Sequence, residues 1–250
     1  MHRAIVVITA LLFAAAAGRA QSTGKPPRGR ELDKLVERIL AADDTDDAAH
    51  REREAMLAEV RSVAPLAPRD VDKWKQKIAK LWRKGRTLEK SGDNLFFADG
   101  RGRYIVGGET RKPTGLLIAM HGGGQGSGDA GPAAAAYGPA ASRFGWVMIA
   151  PEVLERTECG WTDAGTEEFV LGLVDAALRT WKVDADQVYF AGHSMGGYGS
   201  WTLGGHHADR VAAIAPSAGA PTPIRERSGG PVRERTGGPI VDIIEGVIPS

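Results

Sequence analysis

Gln187-Val-Tyr-Phe-Ala-Gly192-His-Ser194-Met-Gly196-Gly197 sets a serine between two glycines, directly after an apolar run and directly before a helical stretch. A sharp turn from strand to helix would leave the Ser194 hydroxyl exposed at the carboxyl edge of a sheet, with helix amides behind it. Small flanking residues let the backbone close there without side-chain collision. The bare Gly-x-Ser-x-Gly pattern is weak, and its position in the chain gives it weight. A second stretch supports it. Gly115-Leu-Leu-Ile-Ala-Met-His121-Gly-Gly-Gly124 reads as another strand, ending in glycines whose amides are free to turn toward a developing negative charge. Acyl transfer requires such donors. The loop beyond it contains Gly126-x-Gly128-x-x-Gly131, formally a dinucleotide fingerprint. It begins several residues past the strand and Pro132 follows at once, so the required strand-turn-helix geometry is poorly met.

These residues need a scaffold. Leu116 to Met120, Val147 to Ala150, Val188 to Ala191 and Val211 to Ala215 are short apolar runs bounded by Gly or Pro, as suits strands buried on both faces of a parallel sheet. Helical stretches at about 133–144, 166–181 and 195–204 alternate with them. The expected fold class is therefore α/β, a mostly parallel sheet with flanking helices. Ahead of it, Leu95 to Phe97 and Arg103 to Val106 suggest a hairpin around Asp99-Gly100. Residues 31–92 form a helical extension. Leu32, Leu35, Val36, Ile39 and Leu40 share one helix face, a second helix is expected over about 48–63, and a third carries Trp74, Ile78, Leu81 and Trp82 in one stripe. Nine Lys or Arg face three acids between Arg69 and Lys90, a local net of +6. The tryptophans sit in the apolar stripe, so a solvated basic face opposite a packed one is expected there.

Composition narrows the classes. The 250 residues are 42% hydrophobic and 25% charged with a formal charge of +1, which suits a globular protein and gives no electrostatic reason to expect nucleic acid or an anionic membrane as partner. A lone Cys159 excludes a disulfide framework and a multi-thiolate zinc site. No metal and no cofactor is expected. Residues 1–20 have Arg3, an apolar run from Ala4 to Ala17 and the small-residue end Gly18-Arg19-Ala20, a leader for a secreted or periplasmic protein. The run is short for a bilayer span, so no stable membrane association is expected after cleavage. Residues 21–30 have linker composition.

His121-Gly-Gly-Gly, Gly192-His-Ser-Met-Gly-Gly-Tyr-Gly-Ser-Trp201 and Ala215-Pro-Ser-Ala-Gly219 resemble the α/β-hydrolase superfamily, in its secreted esterase branch near polyhydroxybutyrate depolymerases and feruloyl esterases. Prolyl-oligopeptidase-like peptidases lie close by. The resemblance runs from about residue 104 to 219. It implies Ser194 as nucleophile, with the Met195 amide and one from Gly123 or Gly124 as oxyanion hole, acting on a small-molecule or polymeric ester.

One departure matters. The family's order is Ser, then Asp or Glu, then His. Of the 56 residues after Ser194, only His206 and His207 are histidines, and no acid lies between. Twelve residues of helix span about 18 Å, beyond reach of the hydroxyl. The acid and base are therefore expected beyond residue 250, making 93–250 a hydrolase domain without its last strands. A catalytically deficient secreted binding protein of the same fold, or a prolyl-oligopeptidase-like peptidase, is the alternative. The tail adds a tandem octapeptide, Ile224 to Pro231 and Val232 to Pro239, read as a basic flexible loop. The loop from Glu152 to Gly165 leaves a strand's carboxyl end, where such folds place ligands. Trp161 is expected there as an apolar wall, with Glu152, Glu155, Glu158 and Asp163 making an acidic rim that favours neutral esters.

Overall fold

Apolar residues at helical spacing give the first unit its helices α1 (Arg30–Ala41), α2 (Asp47–Arg61) and α3 (Val71–Trp82), the last entered through a tight turn at Pro68–Asp70. The computed structural model describes residues 28–41, 47–63, 68–123, 128–157, 160–163 and 165–221. The leader, the octapeptide repeat, Gly124, Glu158 and Cys159 fall outside these. The chain divides between Arg86 and Thr87. In the first unit Leu32, Leu35, Val36, Ile39, Met56, Leu57, Val60 and Ile78 form a buried core, with Trp74 and Leu81 packed against it. Lys73, Lys75, Lys80, Arg83 and Lys84 are exposed, on the faces α3 turns away from that core.

The second unit is a six-stranded sheet. Its strands are β1 (Gly92–Leu95), β2 (Arg103–Gly108), β3 (Gly115–Met120), β4 (Trp146–Pro151), β5 (Val188–His193) and β6 (Ala213–Ser217), in the order β1-β2-β4-β3-β5-β6. β1 and β2 run antiparallel to their neighbours, and β4, β3, β5 and β6 are parallel. Helices α4 (Gly131–Phe144), α5 (Thr166–Trp181) and α6 (Met195–His206) connect them. β3 is buried at every position, as its unbroken apolar run requires. The expected α/β class with a mostly parallel sheet is the observed one.

The hairpin is present, but its first strand lies three residues earlier than the sequence suggests, since only Leu95 of Leu95 to Phe97 belongs to β1. Phe96 and Phe97 lie in the tightening turn, their N–H groups bonded to the Gly102 and Arg101 carbonyls at 3.0 and 3.2 Å, and their rings meet Phe169 of α5, each with ring centroids 5.5 Å from it. Gly102, at φ 70°, passes so close beneath that an added Cβ would lie 2.8 Å from the Phe97 ring. β6 likewise starts at Ala213, two residues later than expected. Among the described residues no helix is long and apolar enough to cross a membrane.

Candidate functional site

Ser194 sits at the single-residue turn between β5 and α6, with φ 53° and ψ −117°. That backbone is sterically unfavourable for a residue with a Cβ and costs about 1–3 kcal/mol, so the surroundings must impose it. They do so from three strands. The Ser194 N–H donates to the Ser217 carbonyl at the tip of β6, at 2.8 Å. A Cβ on Gly192 would lie 2.2 Å from the Gly196 carbonyl, and one on Gly196 would lie 2.2 Å from the Met120 carbonyl of β3. Gly197 packs on β6 in the same way, at 2.4 Å from the Ser217 carbonyl. Glycine is therefore required at the first turn of α6 by close approach of backbones. Ser194 is half-buried, and its hydroxyl makes no capping bond to the helix it opens. The Met195 amide is in the first turn of α6, where N–H groups have no partner within the helix.

The end of β3 lies alongside. A Cβ on Gly122 would be 2.9 Å from the His193 carbonyl and 3.5 Å from Ser194 Cβ, and Gly123 takes φ 132°, which only glycine adopts readily. The structure thus brings Ser194, Met195 and the Gly122-Gly123 backbone together. Gly124 is not described. His121 is 2% exposed. Its Nε2 accepts the Val153 N–H at 3.2 Å, which leaves the ring proton on Nδ1, 2.9 Å from the Gly122 carbonyl. Burial lowers the His121 pKa, opposed by the Gly122 carbonyl and the charges of Glu152 and Asp129, and the ring is neutral near pH 7.

Two residues expected on the substrate rim are interior instead. Trp161 is 0% exposed: its indole N–H donates to the His121 carbonyl at 2.9 Å and its ring lies 4.8 Å from the His121 ring. The Trp161 ring is therefore no wall facing solvent, because a large ring with one donor is better satisfied beneath the loop. Glu152 is 7% exposed and already paired. It accepts from Arg103 at 2.7 Å and from the Ala130 N–H at 3.3 Å, with Arg156 at 3.6 Å. A carboxylate matched by two guanidiniums adds little negative field to a rim. Asp163 accepts the Thr157 hydroxyl, and Glu155 is exposed.

No described histidine contact reaches the Ser194 hydroxyl. His193 points across the sheet, with Nδ1 3.2 Å from Ser217 Oγ. His206 and His207 both meet Glu167, the first at 3.1 Å. Sequence reasoning missed this carboxylate, whose partners lie 39 and 40 residues away with no pattern linking them. Burial pushes the Glu167 carboxyl up, but the His206 and His207 hydrogen bonds outweigh it and bring the pKa down to about 2 from an ordinary 4.5. A depressed acid stabilises the fold above its unfolded pKa, and the contribution is lost as pH falls toward the folded one. Glu167→Gln is therefore expected to weaken the fall in melting temperature between about pH 4.5 and about 2. An unchanged melting profile over that window would show the clamp contributes nothing. At the same end of α6 an apolar cleft of about 210 Å³ opens between Trp201, Gly204, Ala208, Val211 and Ile214. It lies roughly 15 Å of helix from Ser194, too far to hold an ester at that hydroxyl.

No protein-family profile and no curated protein sequence matches the chain. Solved structures do. An acetyl xylan esterase from Aspergillus awamori is 16% identical, with 49% of each chain covered and a TM-score of 0.39. An S-formylglutathione hydrolase from Staphylococcus aureus is 20% identical over 52% of this chain and 56% of its own, with a TM-score of 0.40. A poly(3-hydroxybutyrate) depolymerase from Bordetella parapertussis is 17% identical over 50% and 51%, at 0.39. By their names these neighbours are an esterase, a hydrolase and a depolymerase. The chain spans about half the length of each.

Proposed function

We propose that the chain is a serine hydrolase of the α/β-hydrolase type that cleaves carboxylic esters through an acyl-enzyme on Ser194. The backbone of Ser194 carries this reading. A non-glycine residue held at φ 53° between a parallel strand and a helix is strain concentrated on one hydroxyl, and such strain gathers at reacting groups. In the reaction Ser194 Oγ attacks the ester carbonyl carbon, forming an Oγ–C bond while the hydroxyl proton passes to a base. The carbonyl oxygen becomes an oxyanion that takes hydrogen bonds from the Met195 amide and from one amide of the His121 loop, that of Gly123 or Gly124. Collapse expels the alcohol with a proton, and water then hydrolyses the acyl-serine to the acid. The general base and its orienting acid come from outside the residues described above. Neutral esters, small or polymeric, are the proposed substrates. On the same reading residues 1–20 are an export leader, 21–30 a linker, 31–92 a helical extension and 93–250 the hydrolase domain.

One observation favours a second reading, a binding protein that keeps the pocket without turnover. Every described histidine of the second unit is engaged away from Ser194. Prolonged exposure to p-nitrophenyl acetate separates the two. Ser194 is expected to gain an acetyl group in peptide mass mapping, and Ser194→Ala to abolish the modification. Acetylation spread over lysines, unaffected by Ser194→Ala, would favour the binding protein.

A further inference from the structure

Two consecutive peptide planes at the end of β3 are held by side chains through their carbonyl groups. Trp161 Nε1–H donates to the His121 carbonyl, and His121 Nδ1–H donates to the Gly122 carbonyl, each at 2.9 Å. A trans peptide is planar, and its carbonyl and N–H point in opposite directions. Holding the His121 carbonyl therefore sets the direction of the Gly122 N–H. Holding the Gly122 carbonyl sets that of the Gly123 N–H. Left to themselves, glycines without Cβ would hold neither direction.

The holding groups are themselves fixed. Val153 N–H occupies His121 Nε2, so the proton that Nδ1 donates cannot move to the other nitrogen without losing that bond. Trp161 is fully buried, and Gly199 of α6 passes so near that a Cβ there would lie 2.6 Å from Trp161 Cβ. The indole thus links the helix that Ser194 opens to the loop that Ser194 faces.

We propose that Trp161 is a positioning residue for the oxyanion site, aiming the Gly122 amide through the His121 carbonyl and backing, with its ring 4.8 Å from the imidazole, the His121 side chain that aims the Gly123 amide. This rests on the reading of Ser194 as nucleophile and deepens it, since donors stabilise an oxyanion only when they are aligned before the charge develops. On this reading Trp161 acts through His121 and is not itself a catalytic residue. A purely structural tryptophan would affect stability alone.

Trp161→Phe keeps a flat ring and removes the donor. Two measurements apply to it, both on the chain without its first 20 residues. Backbone amide order parameters at Gly122 and Gly123 are expected to fall from the rigid range, about 0.85, toward about 0.6, with β3 and β5 amides unchanged. The Ser194-dependent hydrolysis of p-nitrophenyl acetate is the second. Without a base, that residual rate comes from binding and the oxyanion hole, so it isolates the loop. Its kcat is expected to fall about 10- to 100-fold at unchanged KM. Unchanged order parameters overturn the proposal, as do lowered ones with an unchanged Ser194-dependent kcat. A parent chain with no Ser194-dependent hydrolysis refutes the nucleophile instead, and the order parameters then decide alone whether Trp161 holds the loop. If Trp161→Phe does not fold, Gly199→Ala displaces the indole while keeping every donor, and the same outcomes are read from it.

Discussion

The chain without its first 20 residues is expected to turn over p-nitrophenyl acetate about a millionfold more slowly than a serine hydrolase with its base and acid in place. A serine hydroxyl has an alcohol's basicity and is not usefully deprotonated near pH 7 unless a base takes its proton. The four histidines of the second unit are committed elsewhere. His121 has both ring nitrogens engaged, His193 meets Ser217, and His206 and His207 share Glu167. What remains is the contribution of binding and aligned amides, about 10³- to 10⁴-fold over water in enzymes stripped of their base. Steady-state kinetics beside Ser194→Ala measures it. Turnover within about tenfold of an ordinary esterase, abolished by Ser194→Ala, would mean that one of these histidines swings to the hydroxyl in solution.

How far sequence reaches here depends on how far apart the interacting residues lie. β3, β4 and β5 are legible because each is a continuous apolar run punctuated by Gly or Pro, and burial on both faces leaves that trace locally. Ser194 is legible for a similar reason: its strand, its glycines and its helix are contiguous. Trp161 and Glu152 are not, since a tryptophan among acids after a strand reads equally as a rim or as core. Their partners settle the matter, and those lie 40 residues away at His121 and 49 away at Arg103. Phe96 and Phe97 show the same limit on a smaller scale. Their N–H groups close the hairpin on Gly102 and Arg101, while their rings pack on Phe169, a partner far along the chain. The strand order, with β4 between β2 and β3, also rests on pairings no local pattern encodes.

The second large effect is expected at Gly196. Alanine there would place its Cβ 2.2 Å from the Met120 carbonyl oxygen and 2.7 Å from that of His121. Both obstacles are backbone of β3 and of the loop after it, so no flexible side chain can give way. α6 would have to lift from the sheet. Lifting it also strains the Ser194 N–H bond to Ser217, because the turn and the helix are continuous. Overpacking of this kind costs about 3 kcal/mol or more, far above the helix-propensity gain of about 1 kcal/mol that alanine brings over glycine. For a domain of this size the melting temperature should fall by roughly 6–12 °C. Gly192→Ala meets the same helix from the other side, at 2.2 Å from the Gly196 carbonyl. Since one displacement of α6 relieves both clashes, the double variant should lose less than the sum of the two. Thermal melts of the three variants test this. A Gly196→Ala protein melting within about 2 °C of the parent would show that α6 does not lie against β3 as closely as these distances require.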